Sequence, residues 1–479
     1  MFKKQFTATI IATILMSSLS INAQEVKSTT LSPAAQIHQN QASTWLNQES
    51  YILATNAYLW GSTLVRMEQV ARQYTDMSQP QNDTSYRAPL NHFGHARRLP
   101  TDQDTDMPTA NRDTLYSSAI VDVSKEPVIL STPEVENRYF VIDMFDMWHN
   151  LFKYVGTRAT GDSPQKIMIV PPHWQGTAPE GVQIVESPTS KVWLWGRTQV
   201  FGEKDYSQVH KIQDKYTLTP LSMYKSGKIT KFSSTPLTPR AGKKDDPLRF
   251  YEELGAYLKD NPIPEREQAL LGQFNKIGLS ENGFDRSKLT PSMKIQLEKA
   301  LEDGPQIVAN QTSNPVTMKI KDGWYYSFVL DQFGDDNALR SLVSHPYLGG
   351  QGAKEAMYPI TYADSQGKLL SGNIPYSMHF KAEPPVDSFW SVTVYDAKTK
   401  MLISNEIQRF NINDQTPIQK NKDGSFDLIL SNKKPTDHTQ QKNWLPTPKG
   451  NFYAITRLYI PSKDILDMKW TVPPINPIK

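Results

Sequence analysis

The chain has no cysteine among its 479 residues. That absence excludes disulfides, thiol nucleophiles, thiolate metal sites and a lipid-modified N-terminal cysteine together. It also has little net charge, formally +3. No Lys/Arg run interleaves with aromatics, so the clustered cations that drive counter-ion release are missing and nucleic acid is not an expected partner. Long apolar runs are lacking too. The apolar stretch at residues 6–16 is shorter than the roughly 20 residues a membrane-spanning helix needs, and no later stretch is apolar enough, so no membrane span is expected.

Standard catalytic signatures are also absent: there is no G-x-S-x-G, H-E-x-x-H, Walker loop or G-x-G-x-x-G. Two S-x-x-K tetrads, at 163–166 and 431–434, lack the S-D-N and K-T-G companions of β-lactamase-type enzymes. His92 and His95 lie three apart but sit beside Arg97 and Arg98, whose charge repels a metal dication. Neither a metal nor a cofactor is expected.

What is present begins with Lys3 and Lys4, the apolar 6–16 stretch and small residues up to Ala23. This is the pattern of a signal peptide over 1–23, followed by a polar, flexible leader at 24–48, and it implies a periplasmic or secreted protein. The 34 prolines suit many short strands joined by rigid loops. A length of 479 residues predicts more than one domain. The first spans 49–240. It opens with a helix carrying Ile52, Leu53, Leu59, Trp60, Leu64 and Val65, then gives way to strands at 115–123, 128–130, 139–147, 166–170 and 192–200. Helical spacing returns at 241–344 (Phe250, Leu254, Tyr257, Leu258), with further helices at 292–310 and 335–344. After that, residues 345–479 alternate again: Trp390, Val392 and Val394 oppose Phe389, Ser391, Thr393 and Tyr395. Phe452, Ala454, Thr456 and Leu458 oppose Tyr453, Ile455, Arg457 and Tyr459. Period-two patterning of this kind predicts a mainly β protein, with sandwiches on both sides of a small helical unit.

Two segments hold groups able to do chemistry. Asp143, Asp146 and His149 lie in or just beyond an apolar strand, where an unpaired carboxylate is costly, so each is either bonded or functional. In a continuous strand Asp143 and His149 share a face but stand about 20 Å apart. The run Asn111-Arg112-Asp113-Thr114-Leu115-Tyr116 is rich in hydrogen-bonding groups at the start of a strand, as either a turn or a ligand-facing rim.

Several of these residues also carry a resemblance. Asn111 to Ser118, Arg138-Tyr139 and Tyr154 to Arg158 resemble domain of unknown function 1254. Glu355 to Tyr358, Asp364 with Gly367, Leu370 to Gly372 and Tyr376 resemble its companion, domain of unknown function 1214. So do Pro385 to Tyr395 and Asn443 to Pro448. The resemblance to this bacterial tandem family covers roughly 50–475, apart from the middle. It implies an immunoglobulin-like sandwich, a small helical unit and a jelly-roll-like sandwich, in an exported envelope protein of no assigned reaction.

Two functions are consistent with these residues. One is a binding or accessory protein whose mixed face (Tyr395, Tyr453, Arg457, Tyr459) lines a cleft for a sugar, an organic anion or a peptide. Tyr116, Arg158, Tyr376 and Trp390 are its further ligand-binding candidates. The other is an acid/base enzyme of hydrolase or lyase type between the two β-domains. Its catalytic candidates are Asp113, Asp146, His149 and Glu355, with Asp143 and His379 in reserve. An oligomeric structural protein, with homo-oligomer contacts, is a third reading. Convergence of the candidates in one cleft favours the enzyme.

Overall fold

The structure is a computed structural model describing residues 32–81, 83–105, 108–226, 237, 239–313 and 318–478. The expected signal peptide at 1–23 lies outside the described residues. The chain divides into two compact units, Met1–Gln48 and Glu49–Lys479. A helix covers Pro33–Thr75. The expected flexible leader is therefore corrected over 33–48, where good helix formers and no glycine or interior proline sustain helical turns on mostly exposed positions. From Leu53 onward the same helix buries Trp60, Leu64 and Met67.

Four larger sheets and one two-stranded hairpin make the protein β-rich, and none of the described sheets closes into a barrel. In the first β-domain a five-stranded sheet runs in the order Gly94–His95, Thr114–Asp122, Lys191–Gln199, Phe140–Phe145, Leu151–Gly156, antiparallel throughout. Its Ala119, Val121, Phe140, Ile142, Val192 and Leu194 pack on Val128, Leu130, Ile167 and Ile169 from a four-stranded sheet. Its opposite face, with Ile120, Phe145, Trp193 and Trp195, packs on helices through Trp60, Tyr251, Leu254, Phe274 and Leu297. This sheet is thus covered on both sides, and its Phe140–Phe145 strand is buried at every position.

The expected helices in the middle form as Arg249–Leu258, Pro291–Ala309 and Asn337–Val343. Thr290 and Asp336 cap the last two by accepting from the Met293 and Leu339 amides at 3.2 and 2.9 Å. The unit is not purely helical. Met318–Lys321 and Trp324–Ser327 form a hairpin that extends the C-terminal sheet, because Tyr325 pairs with Ile360. That sheet centres on the Phe452–Tyr459 and Trp390–Asp396 strands. Trp390, Val392, Val394, Phe452, Ala454 and Leu458 pack on Tyr376, Met378, Phe380, Phe426, Leu428 and Leu430 of a four-stranded sheet. The remaining face, the mixed one, turns toward the first β-domain: Tyr395 donates to the Ala110 carbonyl at 2.7 Å and Asn111 donates to the Tyr459 hydroxyl at 2.7 Å.

Candidate functional site

Three strands set the site by simple alternation. In Lys191–Gln199, Val192 and Leu194 point into the sandwich, so Trp193, Trp195 and Arg197 point away from it. Tyr116 is paired opposite Arg197 in the neighbouring strand. From the C-terminal domain, Tyr453, Ile455 and Arg457 alternate with the core residues Phe452, Ala454 and Leu458. These two sets enclose a cavity of about 650 Å³, completed by Arg66 and Tyr74 of the Pro33–Thr75 helix and by residues 84–87, 108–111 and 345–350.

Aromatic rings form much of the wall. Tyr116 stacks on Trp195 with centroids 4.4 Å apart, and Tyr86 meets Trp195 edge-on at 4.7 Å. Among the rings stand Arg66, Arg87, Arg197, Lys400 and Arg457, whereas no described wall residue is Asp or Glu. One of these cations has an anionic partner: Arg197 donates to Asp143 at 2.6 Å and to the Gly349 carbonyl at 2.7 Å. Burial pushes the Asp143 carboxyl upward, while Arg197 and the Gln351 amide hold it down. Arg457 is 4% exposed and donates to Thr393, Tyr395 and the Thr109 carbonyl. Among the described residues no carboxylate forms an ion pair with Arg457, Arg66, Arg87 or Lys400. Of the four only Arg457 is buried, with Asp113 acting on it from behind the wall, and because no described carboxylate lines the cavity itself the wall favours an anion.

The 345–352 segment forms one side of the cavity and is fastened to the first β-domain at successive residues. The Gly349 amide donates to His149 Nε2 at 3.0 Å, Gln351 donates to both Asp143 oxygens at 3.1 Å, and the Gly352 amide donates to Tyr154 at 3.0 Å. Gly349 has φ +72°, and a Cβ there would lie 2.8 Å from Trp195 Nε1 and 2.9 Å from Trp193. Only glycine fits both the turn and the approach to the indoles.

Of the sequence candidates, Tyr116, Tyr453 and Arg457 lie on the cavity wall. The catalytic candidates do not come together on it. Asp113 is buried and accepts from Ser391 at 2.5 Å, Asn411 at 2.7 Å and Asn413 at 3.2 Å, pinning the two β-domains. Asp146 accepts from the Trp148 and Asn150 amides and from the Asn150 side chain, which makes it a turn cap. The strand therefore stops at Phe145 rather than running to Met147, and His149 turns back with φ +60° so that its ring stacks on Phe145. The extended separation expected from Asp143 does not apply to it. His149 is fully buried and acts on the cavity through Gly349, from behind the wall.

Glu355 pairs with Arg158 and accepts from Tyr139 at 2.9 Å, another contact between domains. Tyr376 and Trp390 are core residues of the C-terminal sandwich, and His379 pairs with Asp427 at 2.9 Å away from the cavity. Arg66, Arg87, Trp193, Trp195 and Arg197 were not among the candidates. Arg197 had a signal: an arginine inside the apolar 192–200 run requires a buried partner or a ligand. Arg66 and Arg87 had none, because they lie on a helix and a loop whose packing is set by distant residues.

This geometry belongs to a β-rich protein with two domains clamped around a cationic, aromatic cavity. The chain matches the profiles "Protein of unknown function (DUF1254)" at residues 90–220 and "Protein of unknown function (DUF1214)" at 355–463. It belongs to the family that pairs these two domains. Its fold is similar to that of the VPA0106 protein from Vibrio parahaemolyticus, with a TM-score of 0.69 and 25% identity over 90% of this chain and 100% of that one. An uncharacterised protein from Burkholderia cenocepacia aligns at 13% identity over 93% and 99% of the two chains, with a TM-score of 0.42. No curated protein matches the chain.

Proposed function

We propose that the protein binds a small organic anion in the cavity between its two β-domains. The observation that supports this is the wall itself: four Arg/Lys side chains (Arg66, Arg87, Lys400 and Arg457) have no ion-pair partner among the described residues, and no described Asp or Glu lines the cavity, the buried Asp113 acting on Arg457 only from behind the wall. The rings around them suit an apolar or aromatic body on the ligand. An acid/base enzyme at the domain junction is less well supported, because Asp113, Asp146 and Glu355 are already engaged by internal donors away from the cavity wall.

Calorimetric titration with benzoate, citrate and glucose at low and high salt tests this reading. At least one acid binds, glucose does not, and Arg457→Met weakens the acid by about tenfold or more. Arg87→Gln and Lys400→Gln do so in part without touching a buried group. Equal binding of glucose, or indifference to all three substitutions, overturns the proposal.

We further read the first pair of sheets as an immunoglobulin-like sandwich and the second as jelly-roll-like, in an exported protein. No described helix is long and apolar enough to cross a membrane. The Lys3/Lys4 and 6–16 pattern supports export, and N-terminal sequencing of the mature protein tests it: an intact Met1 refutes it.

A further inference from the structure

His345 sits on the cavity wall, two residues past the Asn337–Val343 helix. Its Nδ1 lies 2.8 Å from the Ser341 carbonyl, one of the last-turn oxygens that a helix leaves without an internal partner. A carbonyl can only accept, so the neutral ring carries its hydrogen on Nδ1. Ser344 Oγ, 3.3 Å from the same nitrogen, donates to the Ser341 carbonyl at 2.9 Å and does not compete for that role. The lone pair is therefore on Nε2, which has no partner among the described residues, on an exposed residue of the cavity wall. Partial desolvation by the wall around the ring lowers its pKa, the Arg66 charge adding to that against the pull of the Ser341 carbonyl, so the neutral ring is favoured. Arg66 itself has a buried Nε without a hydrogen-bond partner.

A plain carboxylate satisfies only the cations here, since its oxygens and the Nε2 lone pair repel. A ligand that also brings a hydrogen-bond donor gains a contact that a plain carboxylate lacks. An ammonium group is disfavoured beside Arg66, Arg87 and Arg457, which leaves a neutral hydroxyl. We propose that the cavity is selective for hydroxy acids, with the carboxylate held by Arg66 and the hydroxyl donating to His345 Nε2. His345 is then a specificity-determining residue. This rests on the organic-anion reading above and adds the class of acid.

The test is titration of the full chain at pH 7.5 with three acids of equal charge and ring: mandelate, phenylacetate and α-methoxyphenylacetate. Mandelate is expected to bind about tenfold more tightly than phenylacetate, the scale of one hydrogen bond to a site that otherwise stays unpaired. The methyl ether, which keeps the oxygen but not the donor, binds no better than phenylacetate. In His345→Phe the mandelate preference falls to within about twofold, while His345→Gln, whose amide oxygen can accept, keeps part of it and phenylacetate affinity stays near wild type in both.

Equal affinity for the three acids, or a preference that survives His345→Phe, overturns this inference and leaves the organic-anion reading standing. Binding of no acid at all, with the cations intact, overturns both. A methyl ether that binds as well as mandelate assigns the preference to shape rather than to His345 and also overturns it.

Discussion

Protonation of His149 should unlatch the wall of the cavity, and the cost can be worked from its surroundings. The ring is fully buried, stacked on Phe145, and accepts from the Gly349 amide at 3.0 Å. Nδ1 must then carry the hydrogen, and it finds no partner among the described residues. An imidazolium there would lose the acceptor and strand a charge. Burial first, then the neighbouring His345, Arg340 and Arg66, which disfavour a further positive charge, lower its pKa from 6.5 to about 3. A group depressed on folding contributes stability above its unfolded value, and that contribution is lost as pH falls through the folded one. The window is therefore pH 6.5 down to 3, with about 5 kcal/mol lost at its lower end and about 3 kcal/mol by pH 4.5.

The perturbation is His149→Asn, since Asn tolerates the left-handed backbone at φ +60°. Losing the ring costs a similar amount at every pH, so the slope is diagnostic. Urea unfolding followed by tryptophan fluorescence, at steps from pH 7.5 to 4.5, should show wild type losing about 2–3 kcal/mol more than the variant. Parallel curves would refute a buried neutral His149.

Asp146 should act with the opposite sign: burial raises its carboxyl to about 6 against the bonds from Asn150 and Trp148. Its stability contribution is then full below about pH 4 and declines by about 3 kcal/mol as pH rises to 6, and Asp146→Asn should flatten that limb of the same urea series. Asp143→Asn leaves Arg197 buried without its counter-charge and should cost about 3–5 kcal/mol in urea, most of it recovered in Asp143→Leu/Arg197→Met. Gly349→Ala combines a left-handed residue with contacts under 3 Å to two indoles; an expected loss of about 2–5 kcal/mol should appear as a lower urea midpoint, with weakened anion binding.

Alternation along a strand is set by its own residues, and this part of the architecture was legible. Arg457 and Tyr453 fall opposite Ala454 and Leu458 because successive side chains point to opposite faces, whatever the strand packs against. The helices at Arg249–Leu258 and Pro291–Ala309 were legible from apolar spacing and, for the second, its Thr-Pro start. The extent of the Phe140–Phe145 strand was less so. The Asp146 cap that ends it depends on Asn150 folding back, a local device that an apolar run hides.

Taken alone, the sequence determined the absence of thiol chemistry, the β-rich pattern, the paired domains and the face on which Arg457 stands. Only the tertiary structure decided which charged groups are occupied. Asp113 looks free in its own segment, and its partners Ser391, Asn411 and Asn413 come from nearly 300 residues later. Arg66 and His345 meet at one cavity only because the long helix and the 345–352 segment are both packed against the first sheet. Faces are local consequences of backbone period. Partners follow from packing between distant segments, and a carboxylate's or a cation's partner is what makes it scaffold or site.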